Sequence, residues 1–548
     1  MRRKYCALLF SLLLPMKWRF FTLILFVIYI SSSEAKPRTN REMAAIASAK
    51  LSQVGMQSGK RSQTTTLKEL KSTDYYAIYG NTLGFVVVTK DDRFQPIIGY
   101  SNSVFNERMI PPNFKWWLDA VNAYMSENTI ILSKSITAAN SVSPLMKTKW
   151  DQFEPYNNLT PTYTEKGETF HYPTGCLATA MAQIMYYYKH PKKGAGESAY
   201  YVNGKTIPII IDFSQTEYDW DNILESYSST YTEAQAEAVA TLMYHCGTSV
   251  KMTYDKSGSG ALMSNGCKAM RTNFSYPYSV IYFRDYCTGE EWLNMVYGEL
   301  SAKRPIIYAG DDGKQTGHAF VLHGYDNDGL VYVNWGWSGY YDGYFDITLL
   351  NPEKDTYAYG QQMLIVNPEM DATQLHSSWA LREHLILSKL SDDKLSLSCD
   401  GFLNMDLSFK GTICLIAENE SDIYELIGMD ITDNLGIGEG FSLKDQVVDI
   451  KELSIGTYRL YLASKSEDES SWQSFRAHET INRTYILEKT ASGIFLTEGE
   501  VPTSIGKFTK SELSTPRFYD FQGREVNAST KGLVIRKQGN EVKKVVVR

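Results

Sequence analysis

The chain has 548 residues, 43% of them hydrophobic and 21% charged, with a formal net charge of −7. That length exceeds what one core serves and argues for three or four domains, while the composition excludes a disordered chain. A modest acidic charge without a basic block argues against nucleic acid as a partner.

The N-terminus reads as an export signal. Lys17 and Arg19 precede an apolar run from Phe20 to Ile30, and Ser33-Glu34-Ala35 offers small residues at the two cleavage-defining positions, so cleavage after Ala35 is expected. An earlier apolar patch, Ala7 to Pro15, lies upstream of Met16; either the signal is unusually long or Met16 is the start. No other segment reaches the eighteen or so apolar residues that a membrane span needs. A soluble, exported mature protein is the expectation, secreted or held at the cell surface.

Residues 36–142 read as one small unit. An Ala-rich helical pattern over Arg41–Val54 is followed by strand-like Tyr75–Tyr79 and Gly84–Thr89, then by Pro111-Pro112 and an amphipathic helix over Phe114–Met125. The small, polar stretch Ala138–Pro144 reads as an exposed linker and a proteolysis point.

Residues 143–368 place helices first (Cys176–His190, Glu233–Gly247, Ala261–Phe274, Glu290–Ala302) and strands late (Pro305–Ala309, His318–Tyr325, Leu330–Asn334, Gly343–Ile347). That order suggests an α+β domain with an antiparallel sheet. From 370 to 490, short strands at Leu395–Cys399, Met405–Phe409, Thr412–Ile416 and Thr457–Leu462 suggest a β-sandwich. Residues 510–548 form a separate β-type tail.

Tyr172-Pro-Thr-Gly-Cys176 places a single cysteine where a loop becomes a helix. Unpaired backbone N–H groups and the positive helix end favour a thiolate there. On this segment alone, a small buried cysteine at an ordinary helix start fits equally well. Six cysteines follow the signal; none forms a C-x-x-C pair and no His/Cys cluster has zinc spacing, so neither metal nor cofactor is expected. Cys399 with Cys414, and two of Cys246, Cys267 and Cys287, are candidates for disulfides.

A thiolate nucleophile needs a base and donors for the oxyanion. His318 and His323 are five residues apart on one strand and face opposite sides, so at most one faces Cys176. His318, beside the Asp311–Gly317 loop, is preferred over His323 and over His171, which lies on the approach to the cysteine. Asn334 is the candidate to orient the imidazole, Trp335 to shield it, and Gln152 to donate to the oxyanion beside the Cys176 N–H. Taken singly, Trp335-Gly-Trp337 would read as hairpin core and Gln152 as surface. The order Gln, Cys, His, Asn is far harder to obtain by chance.

With Lys147–Gln152, Thr174–Ala180, Ser257–Gly260, Gly317–Val321 and Val333–Trp337 in place, the chain resembles the streptopain family of cysteine peptidases, which have a papain-like fold. The resemblance implies Cys176 as nucleophile, His318 as base and acid, Gln152 as oxyanion donor, and Asn334 and Trp335 framing the histidine. Asp151 and Ser338 depart from the family, standing where many members carry glycine. The resemblance further implies that residues 36–142 are an inhibitory propeptide, released by a cut between Ser141 and Lys147. The loop Ser257-Gly258-Ser259-Gly260 would line the pocket for the residue preceding the cleaved one, favouring apolar or aromatic side chains. The β-rich region after 370 is similar to extensions of larger Bacteroidetes members, and the final strands to C-terminal sorting tails.

Expected, then, is an exported endopeptidase zymogen acting broadly on host or dietary proteins, in nutrient acquisition or virulence. Its partners would be protein or peptide substrates and its own propeptide. The competing readings are a Cys/His amidase or transglutaminase-like acyltransferase, which an inhibitory prodomain argues against, and an idle adhesin, against which Gln152, Cys176, His318 and Asn334 together argue.

Overall fold

A computed structural model describes residues 36–57, 66–127, 141–202, 208–311, 317–350 and 359–499, with the backbone of short strands between 517 and 547. The expected signal segment and the interior of the loop before His318 lie outside the described residues.

One antiparallel sheet of ten strands organises the first two blocks. Its order is Lys68–Ser72, Tyr76–Asn81, Gly84–Thr89, Ile97–Ser101, Gly343–Phe345, Val331–Asn334, Gly317–Tyr325, Ile306–Asp311, Tyr359–Asn367 and Tyr278–Phe283. The first four strands come from the block expected to be a propeptide and the other six from the next block. The seam is the pairing of Gly343 with Ser101, Tyr344 with Tyr100 and Phe345 with Gly99. Gly99 is required there: a β-carbon would lie 2.5 Å from the Phe345 ring.

Helices cover both faces. The helix Pro112–Glu127 starts with proline at its first position, where no N–H is needed. It lays Phe114, Trp116 and Trp117 on the face that presents Phe320, Trp335 and Phe345. The opposite face carries Ala319 and Val321 and packs against the helices Cys176–Tyr188, Glu233–Ser249 and Met263–Thr272. Strand alternation therefore puts Ala319 and Phe320 in two different cores.

The Cys176 helix is buried all round from Leu177 to Met185, apolar there except for Thr179 and Gln183. It stops at Tyr188, two residues earlier than its sequence pattern suggests. Lys189 turns left-handed and its N–H caps the Met185 and Tyr186 carbonyls. Two further helices start on reciprocal capping boxes, Thr232 with Gln235 and Thr288 with Glu291.

Two antiparallel sheets from residues 379–498 face each other across Trp379, Leu397, Leu415, Leu460 and Leu487, the expected β-sandwich. Met405–Leu407 is a turn, not the start of a strand: the Asn404 side chain bonds the backbone of Asp406 both ways and the strand begins at Ser408. The tail strands Arg517–Tyr519, Glu525–Val526, Gly532–Gln538 and Glu541–Val547 form their own sheet.

The sandwich docks on the second block. Arg483 Nη2 meets Glu291 Oε1 at 2.7 Å with both side chains buried, and Arg271 meets Asp406 at 2.9 Å. The expected disulfides are absent among the described residues, where all six cysteines are free thiols. Cys399 sits in the inter-sheet core while Cys414 lies in a separate apolar cluster with Trp472, so the two cannot meet.

Candidate active site

Gly175 precedes the Cys176 helix in a conformation closed to most residues (φ 91°), and a β-carbon there would meet Met252 and the Ser259 carbonyl. The turn is further fixed by the Ser259 hydroxyl, which donates to the Pro173 carbonyl at 2.7 Å. Ser259 is buried, and Thr253 and Gly260 exchange backbone hydrogen bonds, so the 257–260 loop lies against the cysteine turn. At the loop's exposed end the Ser257 N–H instead donates to the Asp255 carboxylate at 2.8 Å.

The Cys176 sulfur accepts a hydrogen bond from the Ala319 N–H at 3.3 Å. His318 is thereby one peptide unit from the sulfur. Burial pushes the Cys176 thiol above its ordinary value, opposed by the N–H groups of Ala319, Leu177 and Cys176 itself. The helix start thus supplies the expected donors, while desolvation works against them.

The other histidines near this region are otherwise engaged. His323 is buried, its Nδ1 accepts from the Met146 N–H at 3.2 Å, and burial pushes it down to about 3. That ring stays neutral at any ordinary pH. His171 is exposed and bonds the Thr160 carbonyl at 2.7 Å.

Gln152 is tied to the cysteine turn through its backbone: its carbonyl accepts from the Thr174 N–H at 3.0 Å. Its side-chain amide makes no hydrogen bond to another described residue. The two family departures are each other's partners. The Ser338 hydroxyl donates to Asp151 Oδ2 at 2.6 Å, and the Ser338 N–H donates to the Trp150 carbonyl at 2.9 Å. Together they tether the Gln152 loop to the tryptophan motif.

Asn334 does not hold the imidazole in this structure. Its Nδ2 donates to the Thr148 carbonyl (2.8 Å) and Gln183 Oε1 (3.0 Å), and its Oδ1 accepts from the Gly336 N–H (2.9 Å) and Gln183 Nε2 (3.3 Å). Those four bonds exhaust a carboxamide. Strand register explains it: Asn334 pairs with Val321, on the face away from Phe320. Trp335 lies on the opposite face, its ring 4.9 Å from Phe320, its indole N–H on the Tyr341 carbonyl at 3.0 Å and its backbone N–H on Asp342 Oδ1 at 2.9 Å. Sequence reasoning passed over Gln183 and Thr148. Their signal was weak, a lone glutamine in an apolar helix and a threonine between two lysines.

The first block covers the histidine strand. Asn113 Nδ2 donates to the Trp335 carbonyl at 2.5 Å and Trp116 Nε1 to the Asp311 carbonyl at 2.9 Å. Gly310, paired with His318 across the sheet, lies directly under the Trp116 indole.

Residues 150–345 match the model of the peptidase C10 family, and residues 30–125 that of the Spi protease inhibitor. Streptopain of Streptococcus pyogenes is 34% identical over 304 residues, covering 52% of this chain and 76% of that protein. The thiol protease/hemagglutinin PrtT of Porphyromonas gingivalis is 34% identical over 298 residues, which span 50% of this chain and only 33% of that longer protein. Among solved structures, a fragment of prointerpain A from Prevotella intermedia aligns with TM-score 0.50 and 40% identity, covering 55% of this chain and 98% of the fragment. With these relatives and this cysteine site, the chain belongs to the peptidase C10 family: it is a cysteine peptidase preceded by a Spi-type inhibitor domain.

Proposed function

We propose that the protein is an exported endopeptidase made as a zymogen, with Cys176 as nucleophile, His318 as its proton carrier and Gln152 as oxyanion donor. The observation that carries this reading is the 3.3 Å contact between Cys176 Sγ and the N–H of Ala319, which brings the cysteine helix against the histidine strand. In the reaction, His318 takes the thiol proton as sulfur bonds the scissile carbonyl carbon. The carbonyl electron pair moves to oxygen, where the Cys176 N–H and the Gln152 amide receive it. As the C–N bond breaks, His318 gives its proton to the amine and a thioester remains. Water then adds, losing a proton to His318, and departure of the thiolate releases the acid.

Trp335 closes the histidine side of the site against water. The Ser257–Gly260 loop, packed on the Cys176 turn, lines the pocket for an apolar side chain preceding the cleaved residue, within otherwise broad specificity for host or dietary proteins. The propeptide block inhibits by covering the histidine strand, and its release by a cut in the linker starts activity.

The test uses matured protein, an epoxide-type cysteine-protease inhibitor and casein. One equivalent of label at Cys176 with casein cleavage abolished is the expected result, since the other five described cysteines are buried. Label without casein cleavage in the untreated enzyme would point to acyl transfer instead, and no label would sink the nucleophile assignment. Cys176→Ala should accumulate at full zymogen length.

A further inference from the structure

Gln183 sits two turns along the Cys176 helix and is 1% exposed, as is Asn334. Their carboxamides exchange hydrogen bonds, at 3.0 Å from Asn334 Nδ2 and 3.3 Å from Gln183 Nε2. Gln183 Oε1 also accepts from the Thr148 hydroxyl at 2.6 Å, and Asn334 Nδ2 reaches the Thr148 carbonyl at 2.8 Å. Three separate segments meet here: the one leading to Gln152, the helix starting at Cys176, and the strand leading to Trp335.

Burying two amides and a hydroxyl in an apolar core is costly unless every group is paired, and apolar residues would fill the same space more cheaply. What a fully paired network adds is a fixed geometry. We propose that the Gln183–Asn334 amide pair is a clamp that sets Gln152 relative to Cys176, with Gln183 a positioning residue for the oxyanion hole. The link to Gln152 is short. Only Lys149, Trp150 and Asp151 separate it from Thr148, and that stretch is fixed again at the Trp150 carbonyl by the Ser338 N–H (2.9 Å) and at the Gln152 carbonyl by the Thr174 N–H (3.0 Å). A misplacement of about 1 Å at a reacting group costs on the order of a hundredfold in rate. The inference rests on the assignment of Gln152 as oxyanion donor.

Two probes separate oxyanion geometry from the state of the thiol. A peptide aldehyde adds the Cys176 sulfur to its carbonyl carbon, so the carbonyl oxygen takes up the electron pair and reads the oxyanion donors. Iodoacetamide is attacked by the sulfur at its methylene carbon with departure of iodide, and reads only the thiolate. Variants are matured in trans by tagged wild-type enzyme, which is then removed. In Gln183→Leu, kcat on a peptide substrate should fall about ten- to a hundredfold with KM changed less than about twofold. Aldehyde affinity should fall by the same factor while the iodoacetamide rate at Cys176 stays within about twofold. Thr148→Val, which removes a single hydroxyl, should show a smaller loss in the same proportion and serves if Gln183→Leu does not fold. Wild-type kcat and aldehyde affinity, or an iodoacetamide rate that drops in step with kcat, would overturn the clamp. Gln152→Ala separates the two assignments. Unchanged aldehyde affinity there overturns the oxyanion donor and the clamp with it. A loss there, with none in Gln183→Leu or Thr148→Val, overturns the clamp alone.

Discussion

The indole of Trp116 lies on the bare α-carbon of Gly310, the residue paired with His318 across the sheet. A β-carbon on Gly310 would collide with the Trp116 ring, so this contact exists only because the position is glycine. Trp116 also donates to the Asp311 carbonyl at 2.9 Å, and its ring lies tilted at 6.1 Å from that of Phe320. A buried aromatic with a satisfied N–H is the usual form of an interface anchor. Trp116→Ala should weaken an isolated 36–142 fragment as inhibitor of the mature enzyme by ~2 kcal/mol or more, roughly thirtyfold in inhibition constant. Gly310→Ala, made in the enzyme, should weaken inhibition too. Equal inhibition by wild-type and Trp116→Ala fragments would refute the contact's role.

Asp342 gives the stability a particular pH dependence. Burial pushes its carboxyl up to about 7 from an ordinary 3.8, against the pull of the Trp335 N–H and of Lys149. A carboxyl raised in the folded state binds its proton where the unfolded chain has lost it. Its contribution is therefore fully present below about 4 and lost as pH rises through about 7. Asp342→Asn keeps an oxygen for the Trp335 N–H but cannot ionise. Its melting temperature should vary less than that of wild type between pH 4 and 8, and should exceed it at pH 8. Parallel curves for the two proteins would show that Asp342 does not titrate as described.

The sandwich should be an integral part of the enzyme. Glu291 caps the Thr288 N–H with one oxygen and meets Arg483 with the other, at 2.9 and 2.7 Å. Arg483→Met leaves that buried carboxylate without its cation, a loss of ~3–5 kcal/mol. Adding Glu291→Gln, which can still cap the helix, should restore most of it. Urea denaturation followed by tryptophan fluorescence measures both variants. A single variant as stable as wild type would mean that the interface contributes little.

Much of this arrangement was legible in the sequence because its signals are local. Gly175 and Pro173 mark the turn before Cys176, the apolar run from Leu177 marks a buried helix, and Pro112 marks a helix start. What escaped was set by register and by distant partners. The strands Tyr278–Phe283 and Tyr359–Asn367 went unrecognised, since each is the ladder partner of a segment some eighty residues away and short apolar runs do not announce a strand by themselves. Asn334 stood in the right order along the chain, yet its pairing with Val321 turns its amide to Gln183 rather than to the imidazole. Asp151 and Ser338 looked like two unrelated departures and are one hydrogen-bonded pair.

The C-terminal end of the linker, from Val142 onward, is less open than its composition suggests. Val142 and Tyr325 exchange backbone hydrogen bonds at 2.8 and 2.9 Å, the Leu145 N–H donates to the His323 carbonyl at 2.8 Å, and the Met146 N–H reaches His323 Nδ1. A peptidase needs its substrate strand released from such pairing. Activation should therefore cut on the N-terminal side of Val142, leaving residues 142–146 as a strand of the mature enzyme. The close approach that holds it is at Gly324, where a β-carbon would lie 2.8 Å from the Val142 carbonyl. Gly324→Val should push the segment off the sheet and open new cuts between Val142 and Lys147. N-terminal sequencing of the matured proteins decides: a wild-type product beginning at Leu145 or beyond would show that the strand is expendable.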